Sequence, residues 1–318
     1  MLPSGGSWAN VTSNLAGMSS ECGNLTMVSA VPGQDAVIAG IAQRGVWRST
    51  DGGASWQPLG TGVPSATITN RPSSIAYDPA NASIFYESGI YNGGGVYRTV
   101  DGGTTFQQLG SIGHIDQVSV DFTDPARQTL VAGGHEASRT VYRSTDGGAT
   151  WTNIGLNLPA GTGFSSNPIV LGPNTYLINT NPNWGGGSPG IYRTTNGGTT
   201  WTKVSTIAPT AQAVVTPSAI YWRAGDTLAV STDLGVTWTT RGSGLAVDPT
   251  LLPDGRLLSS TSSHLVVSAD GGASWTNVGP TTPYTPASIA YVNSRHAVFI
   301  STWDCGSVVL SNAIARLQ

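Results

Sequence analysis

"RSTDGGASW" occupies residues 48–56, and the chain repeats it as "RTVDGGTTF" from Arg98, "RSTDGGATW" from Arg143 and "RTTNGGTTW" from Arg193. More diverged copies, "VSTDLGVTW" from Val230 and "VSADGGASW" from Val267, make six. The shared Asp or Asn falls at 51, 101, 146, 196, 233 and 270, in steps of 50, 45, 50, 37 and 37 residues. A period of this size marks a stacked or radial array of one supersecondary unit. In the third unit "IDQVSVDF" (115–122) turns at "TDPAR", "TLVAGGH" (129–135) returns, "TVYRST" (140–145) enters the box and "TWTNIG" (150–155) leaves it. Alternation at period two between Gly, Pro and Asp turns predicts four antiparallel strands per unit, the pattern of a propeller blade.

Six boxes predict seven blades. After the last box come "ASIAYVN" (287–293), "HAVFISTW" (296–303) and "SVVLSN" (307–312), with no Trp strand to follow. The missing strand is found at the other end, where "GGSWANV" (5–11) matches "GGASWTNV" (271–278). The expected fold is therefore an all-β, seven-bladed propeller forming one domain over residues 1–318, closed by the N-terminal strand joining the last blade. Closure removes the strand edges along which chains aggregate.

Composition agrees with a secreted protein. Charged residues are 10% of the chain, the net charge is −3 and Lys203 is the single lysine, so no basic stripe offers itself to nucleic acid. No apolar run is long enough to span a membrane. Cys22 and Cys305 suit one disulfide across the seam between the first and last blades. Asn10, Asn24 and Asn81 stand in N-x-S/T sequons. A monomer is expected.

The spelling S/T-x-D-x-G-x-T/S-W between third and fourth strands resembles the Asp-box, or bacterial neuraminidase, repeat, and the resemblance runs through the whole chain. Locally the carboxylate accepts hydrogen bonds from its own turn, Gly supplies positive φ and Trp buries against the next blade. Six near-identical copies around a ring imply architecture, not six catalysts. The recurring Arg48, Arg98, Arg143 and Arg193 belong to the same architecture. Sialidases share the box but resemble a six-bladed ring with an Arg-Ile-Pro near its start, which this chain lacks. Xyloglucan-cutting enzymes share the "YRSTDGGATW" style but pair two rings across a cleft. Photosystem assembly factors also use the box, without their Gly-Trp-Val-Gly repeats being found here. The chain also looks similar to single-ring secreted enzymes that attack rhamnose–glucuronate linkages, some as lyases and some as hydrolases; fold, size and a His/Arg/Tyr mouth carry that resemblance.

Function departs from architecture where polar residues do not repeat. The second-to-third-strand loops share one face with the blade-to-blade connections, and they vary in length where the box turns are uniform. This face carries Arg44, Arg71, Glu87, Tyr91, His114, His135, Glu136, Arg139, Trp184, Arg223, Trp303 and Asp304. Hairpin pairing in blade three should bring His114 close to His135 and Glu136. Two chemistries fit. Hydrolysis of a glycoside needs two carboxyl groups, roughly 5–5.5 Å apart for retention or 6.5–9.5 Å for inversion, and Glu87 with Glu136 is the pair on adjacent blades. β-Elimination beside a uronate needs a cation for the carboxylate, a base and an acid. Arg44, Arg71 or Arg139 would supply the first, His135 or His114 the second and Tyr91 the third. A mouth richer in His and Arg than in carboxylates favours elimination on a carbohydrate substrate, with Trp184 and Trp303 as walls for a sugar ring. A carbohydrate-binding lectin or interaction scaffold is the rival class, although its pockets would repeat from blade to blade. No HxH or HExxH spacing supports a metal site, and no cofactor is expected.

Overall fold

A computed structural model describes residues 2–3, 5–21, 25–182, 184–303 and 310–318. Seven four-stranded antiparallel sheets surround a central channel. Six of them run in sequence order from the inner strand outwards, beginning with Leu25–Ala30, Arg71–Asp78, Ile115–Val120, Pro168–Gly172, Val214–Val215 and Thr250–Leu251. In the seventh, Ser288–Val292, Ala297–Ser301 and Ile314–Leu317 are completed by Trp8–Asn10, with Trp8 opposite Leu317 and Asn10 opposite Ala315. The ring is a seven-bladed propeller closed by its N-terminal strand, and no helix is long and apolar enough to cross a membrane among the described residues.

One strand differs from the sequence reading. The third strand of blade seven is Ile314–Leu317, and the described part of the expected 307–312 strand, residues 310–312, precedes it outside any strand. The strand's Ile314, Ala315 and Leu317 are buried. Leu310 instead exchanges backbone bonds with the first blade's approach, accepting from Gly17 N–H at 2.7 Å and donating to the Met18 carbonyl at 3.1 Å. The expected Cys22–Cys305 bridge, like Asn24 and Asp304, lies outside the described residues.

The apolar core sits between blades. Each of seven buried clusters draws from two neighbouring blades, such as Tyr86 and Val96 with Val118 and Leu130, or Ile169 and Leu177 with Ile220 and Trp222. A single blade leaves both faces wet, so packing alone requires a closed ring.

The boxes fasten these interfaces on the face opposite the variable loops. In the first, Asp51 Oδ1 accepts from Ser49 Oγ at 2.8 Å and Ser55 N–H at 3.0 Å, and Oδ2 accepts from Ser55 Oγ at 2.6 Å. Trp56 is fully buried and donates its indole N–H to the Val11 carbonyl at 3.0 Å, just past the outer strand of the preceding blade. Trp8, Trp151 and Trp201 make the equivalent bond to Pro280, Leu109 and Ile154. Arginines on third strands tie the boxes laterally: Arg48 and Arg193 of the repeat, and Arg316 of blade seven, donate to the Gly102, Leu234 and Gly52 carbonyls of the following blade's box.

Deleting residues 1–12 removes the pairing of Trp8–Asn10 with Ile314–Leu317 that closes the seam and exposes the edge of Ile314–Leu317; the deletion variant is expected to aggregate, and light scattering of a soluble monomer with unchanged melting temperature would contradict this. Asn196 already makes the box bonds without a charge, accepting from Thr200 N–H at 3.0 Å and donating to Thr200 Oγ1 at 2.9 Å. Hydrogen bonds from Ser55, first its side chain and then its backbone, hold the Asp51 carboxyl down at about 2. A depressed carboxyl contributes stability above its unfolded pKa that is lost as pH falls from about 4 through about 2. Asp51→Asn should therefore keep the melting temperature at neutral pH and weaken its fall in that acid window, whereas Asp51→Ala should lower it at neutral pH. Trp56→Ala should cost more, about 3–5 kcal/mol in denaturant unfolding.

Candidate active site

The channel forms a cavity of about 720 Å³ that opens among the variable loops. Blade three supplies its central group. The hairpin of Ile115–Val120 and Leu130–Gly134 sets Ile115 opposite Gly134, and His135 N–H donates to the His114 carbonyl at 2.7 Å. The period-two alternation that buries Ile115 directs Asp116 towards the channel. Asp116 Oδ1 lies 2.8 Å from His135 Nδ1, and Tyr91 Oη lies 3.1 Å from His135 Nε2. Because the carboxylate only accepts, Nδ1 carries a proton; neutral His135 then presents the Nε2 lone pair to the Tyr91 O–H. Three side chains thus form one line from a carboxylate to a phenol.

The surroundings polarise this line. Burial lowers the His135 pKa, but the Asp116 hydrogen bond and charge, with Glu136, outweigh it and the net shift is upward. Glu136 Oε1 is 3.6 Å from Nε2 and accepts the Trp184 indole N–H at 3.1 Å. Burial, then the Glu136 charge, raises the Tyr91 phenol against the opposing charge of Arg71. The phenol therefore stays protonated and donates. His114 caps the arrangement, its Nδ1 accepting Tyr91 N–H at 3.3 Å, and its ring meets Tyr91 edge-on at 5.9 Å. Tyr91, His114, Glu136 and Arg139 all have positive φ, between 49° and 63°. Non-glycine residues held there store conformational strain, which collects at functional sites.

Other expected residues are placed unequally. Arg71 reaches from blade two to blade seven, where its guanidinium lies 5.9 Å from the Trp303 ring, and no described carboxylate pairs with it. Trp184 is 76% exposed and stands edge-on to Phe164 at 5.3 Å. Arg44 Nε donates to the Ser19 carbonyl at 3.1 Å on blade one. Arg139 turns away from His135 and donates to the Leu156 carbonyl beyond blade three's outer strand. Glu87 is a correction: it is not in a loop but on Asn81–Ile90, opposite Ile75 and Tyr97, and is fully buried. Burial pushes its carboxyl up to about 8, the Asn70 Nδ2 hydrogen bond only partly opposing this. It offers no surface to a ligand, so the Glu87–Glu136 pair cannot flank a glycosidic bond. Asp116 was the residue overlooked; the readable signal was a carboxylate on the channel-facing phase of an inner strand.

No protein-family model matches the chain. Over 110 residues it is 33% identical to a xyloglucanase of a Paenibacillus species, covering 35% of this chain and 8% of that protein. The GH74 xyloglucanase from Xanthomonas campestris superposes with a TM-score of 0.60 at 16% identity, over 97% of this chain and 53% of that one. YCF48 from Cyanidioschyzon merolae superposes with a TM-score of 0.59 at 13% identity, over 98% of each chain. The chain thus spans about half of the xyloglucanase structure and a smaller part of the Paenibacillus protein. It is a seven-bladed β-propeller that resembles GH74 xyloglucanase and related propellers.

The His135 ring should titrate above its usual 6.5, and Asp116→Asn should lower that value by removing the largest upward contribution. Imidazole NMR signals followed against pH check both; an unchanged His135 titration in Asp116→Asn would show that the carboxylate does not govern the ring.

Proposed function

We propose that the protein is a secreted carbohydrate-active enzyme that cleaves a uronate-containing glycan by β-elimination at the mouth of the channel. The observation that carries this reading is the Asp116–His135–Tyr91 line together with Arg71, whose charge acts on both Tyr91 and His135 and which has no carboxylate partner among the described residues. Tyr91 is 39% exposed whereas the His135 side chain is only 16% exposed, so the phenol meets substrate and the imidazole works through it. Arg71 neutralises the uronate carboxylate and so stabilises the carbanion character that develops at C5. The Tyr91 oxygen takes the C5 proton as its own proton passes to His135 Nε2. The C5–H electron pair forms the C4–C5 double bond, and the C4–O bond breaks with its pair on oxygen. The imidazolium returns a proton through Tyr91 to that oxygen. Asp116 acts as a positioning residue that fixes the tautomer, and Trp184 offers an apolar face to a pyranose.

Hydrolysis is the second reading. The xyloglucanase stretch favours it, and so does the position of Tyr91, whose hydroxyl sits against His135 and whose phenol feels the Glu136 charge; a tyrosine with such a base is a nucleophile in some glycosidases. Exposed Asn10 and Asn81 in their sequons agree with secretion.

A panel of gums and glycans separates the readings, since elimination creates an unsaturated uronate that absorbs in the ultraviolet and hydrolysis releases reducing sugar without it. On the active substrate, Tyr91→Phe and His135→Ala should each lower kcat by ~10²–10⁴-fold. Neutral His135 is the working form, so the rate should rise with pH through its raised pKa, and Asp116→Asn should move that limb to lower pH. Full activity in both Tyr91→Phe and His135→Ala would place the chemistry elsewhere.

A further inference from the structure

The loops do not cover the mouth evenly. Arg71 meets Trp303 across the position of blade one, Asn92 and Gln43 both donate to Glu21, and Trp184 leans on Glu136. These contacts crowd blades seven through four. On blades five and six the second-to-third-strand connections shrink to residues 225–226 and 261–264. The cavity wall over those two blades is instead built by the blade-to-blade connections 206–213 and 242–249, which supply Thr210, Gln212, Val247 and Asp248 to its lining. The cavity volume of about 720 Å³ lies well within the range that encloses a ligand of drug size, which is more than one sugar ring.

That wall carries its own polar group. Arg223 Nε donates to Asp248 Oδ1 at 2.6 Å, and Arg223 Nη1 donates to the Gly225 carbonyl at 2.7 Å. Both residues line the cavity, and a third of the Asp248 side chain and 22% of the Arg223 side chain remain accessible within it. Arg223 is the penultimate residue of the second strand of blade five, Ile220–Ala224, and Asp248 precedes the inner strand of blade six, so both belong to the upper end of the channel, the end that holds His135. A cation and an anion fixed together present a donor fork beside a two-oxygen acceptor, with no net charge. This matches a pair of vicinal hydroxyls, one accepting and one donating, better than it matches a carboxylate, which Asp248 would repel.

We propose that Arg223 and Asp248 form a second saccharide subsite, on the blade-five and blade-six wall, that holds a neutral sugar residue by vicinal hydroxyls. The subsite deepens the proposed function by setting where the rest of the glycan lies, but it is defined by binding and is tested without turnover. Asp248 supplies acceptor oxygens to the hydroxyl pair and Arg223 both orients Asp248 and donates to one of the two oxygens. Arg71, which has no carboxylate partner among the described residues and whose charge reaches His135, is left for the acidic residue.

Saturation-transfer NMR on the full chain provides the test, with glucose, galactose, xylose and rhamnose as neutral probes and glucuronate as the acidic one. At least one neutral sugar should give a signal that survives in His135→Ala and is lost in the near-isosteric Asp248→Asn, and Arg223→Lys should weaken it. Glucuronate should behave in the opposite way, persisting in Asp248→Asn and falling in Arg71→Ala. Matched melting temperatures establish that the variants are folded; should Asp248→Asn be destabilised, Arg223→Lys and Arg223→Gln carry the comparison. Once a substrate is known, Asp248→Asn should raise KM about tenfold for an oligosaccharide and leave KM for a one-ring aryl uronide unchanged, a split that a merely structural ion pair would not produce. Absence of any neutral-sugar signal, or its persistence in folded Asp248→Asn, overturns the subsite. Failure of every glycan to be cleaved overturns the proposed function instead and leaves the binding result standing.

Discussion

A propeller blade has two apolar faces and nothing of its own to cover them with, so each depends on a neighbour. In this chain that dependence converges on a strand of three residues. Trp8–Asn10 pairs with Ile314–Leu317, Thr12 Oγ1 accepts the Ala313 and Ile314 amides at 2.9 and 3.0 Å, and the Trp8 indole N–H reaches Pro280. These bonds turn an open stack with two wet ends into a ring whose every blade is covered on both sides. The mouth depends on the same closure. Arg71 and Trp303 come from blades on either side of the first, and they meet only because blade seven is fastened beside blade one.

Repetition and its absence divide the labour between the two faces. On one, the six boxes hold the same turn, and Asn196 shows that the turn needs a hydrogen-bonding side chain of one shape and not a charge. Leu234, with φ at 57° where other boxes have glycine, shows how much local cost the surrounding bonds tolerate. On the other face no two loops agree. There positive φ falls on Gln43 in blade one and on Tyr91, His114, Glu136 and Arg139 in blades two and three. Tyr91 and Glu136 touch His135 and His114 touches Tyr91, and strain of this kind is one means by which a fold preorganises a site.

The site was partly legible in the sequence, and the failures have identifiable causes. His114, His135 and Glu136 were placed together because an antiparallel hairpin folds residues equidistant from its turn onto each other, a relation independent of side chains. Glu87 was misjudged because a carboxylate near the end of an apolar run reads as a loop residue, whereas Asn81–Ile90 continues for ten residues and carries it into the blade. Arg139 lies at the right height but at the wrong azimuth, since its left-handed backbone turns it outward to Leu156. Asp116 inside "IDQVSV" has the spelling of an ordinary strand residue, and only its channel-facing phase marks it out.

What the chain's spelling determined alone was everything governed by period: four strands to a unit, seven units to a ring, the box turns and the face on which they lie. These follow from local hydrogen bonding and from apolar alternation, which act over a few residues and are written wherever the pattern is written. What only the tertiary structure decided was which unrepeated side chains touch. Tyr91 and His135 are 44 residues apart and meet at 3.1 Å, and Arg223 and Asp248 are 25 apart and meet at 2.6 Å. Those distances depend on how each blade is rotated against the next, which is set by close packing of clusters such as that of Tyr86, Val96, Val118 and Leu130. No short stretch of sequence contains that rotation.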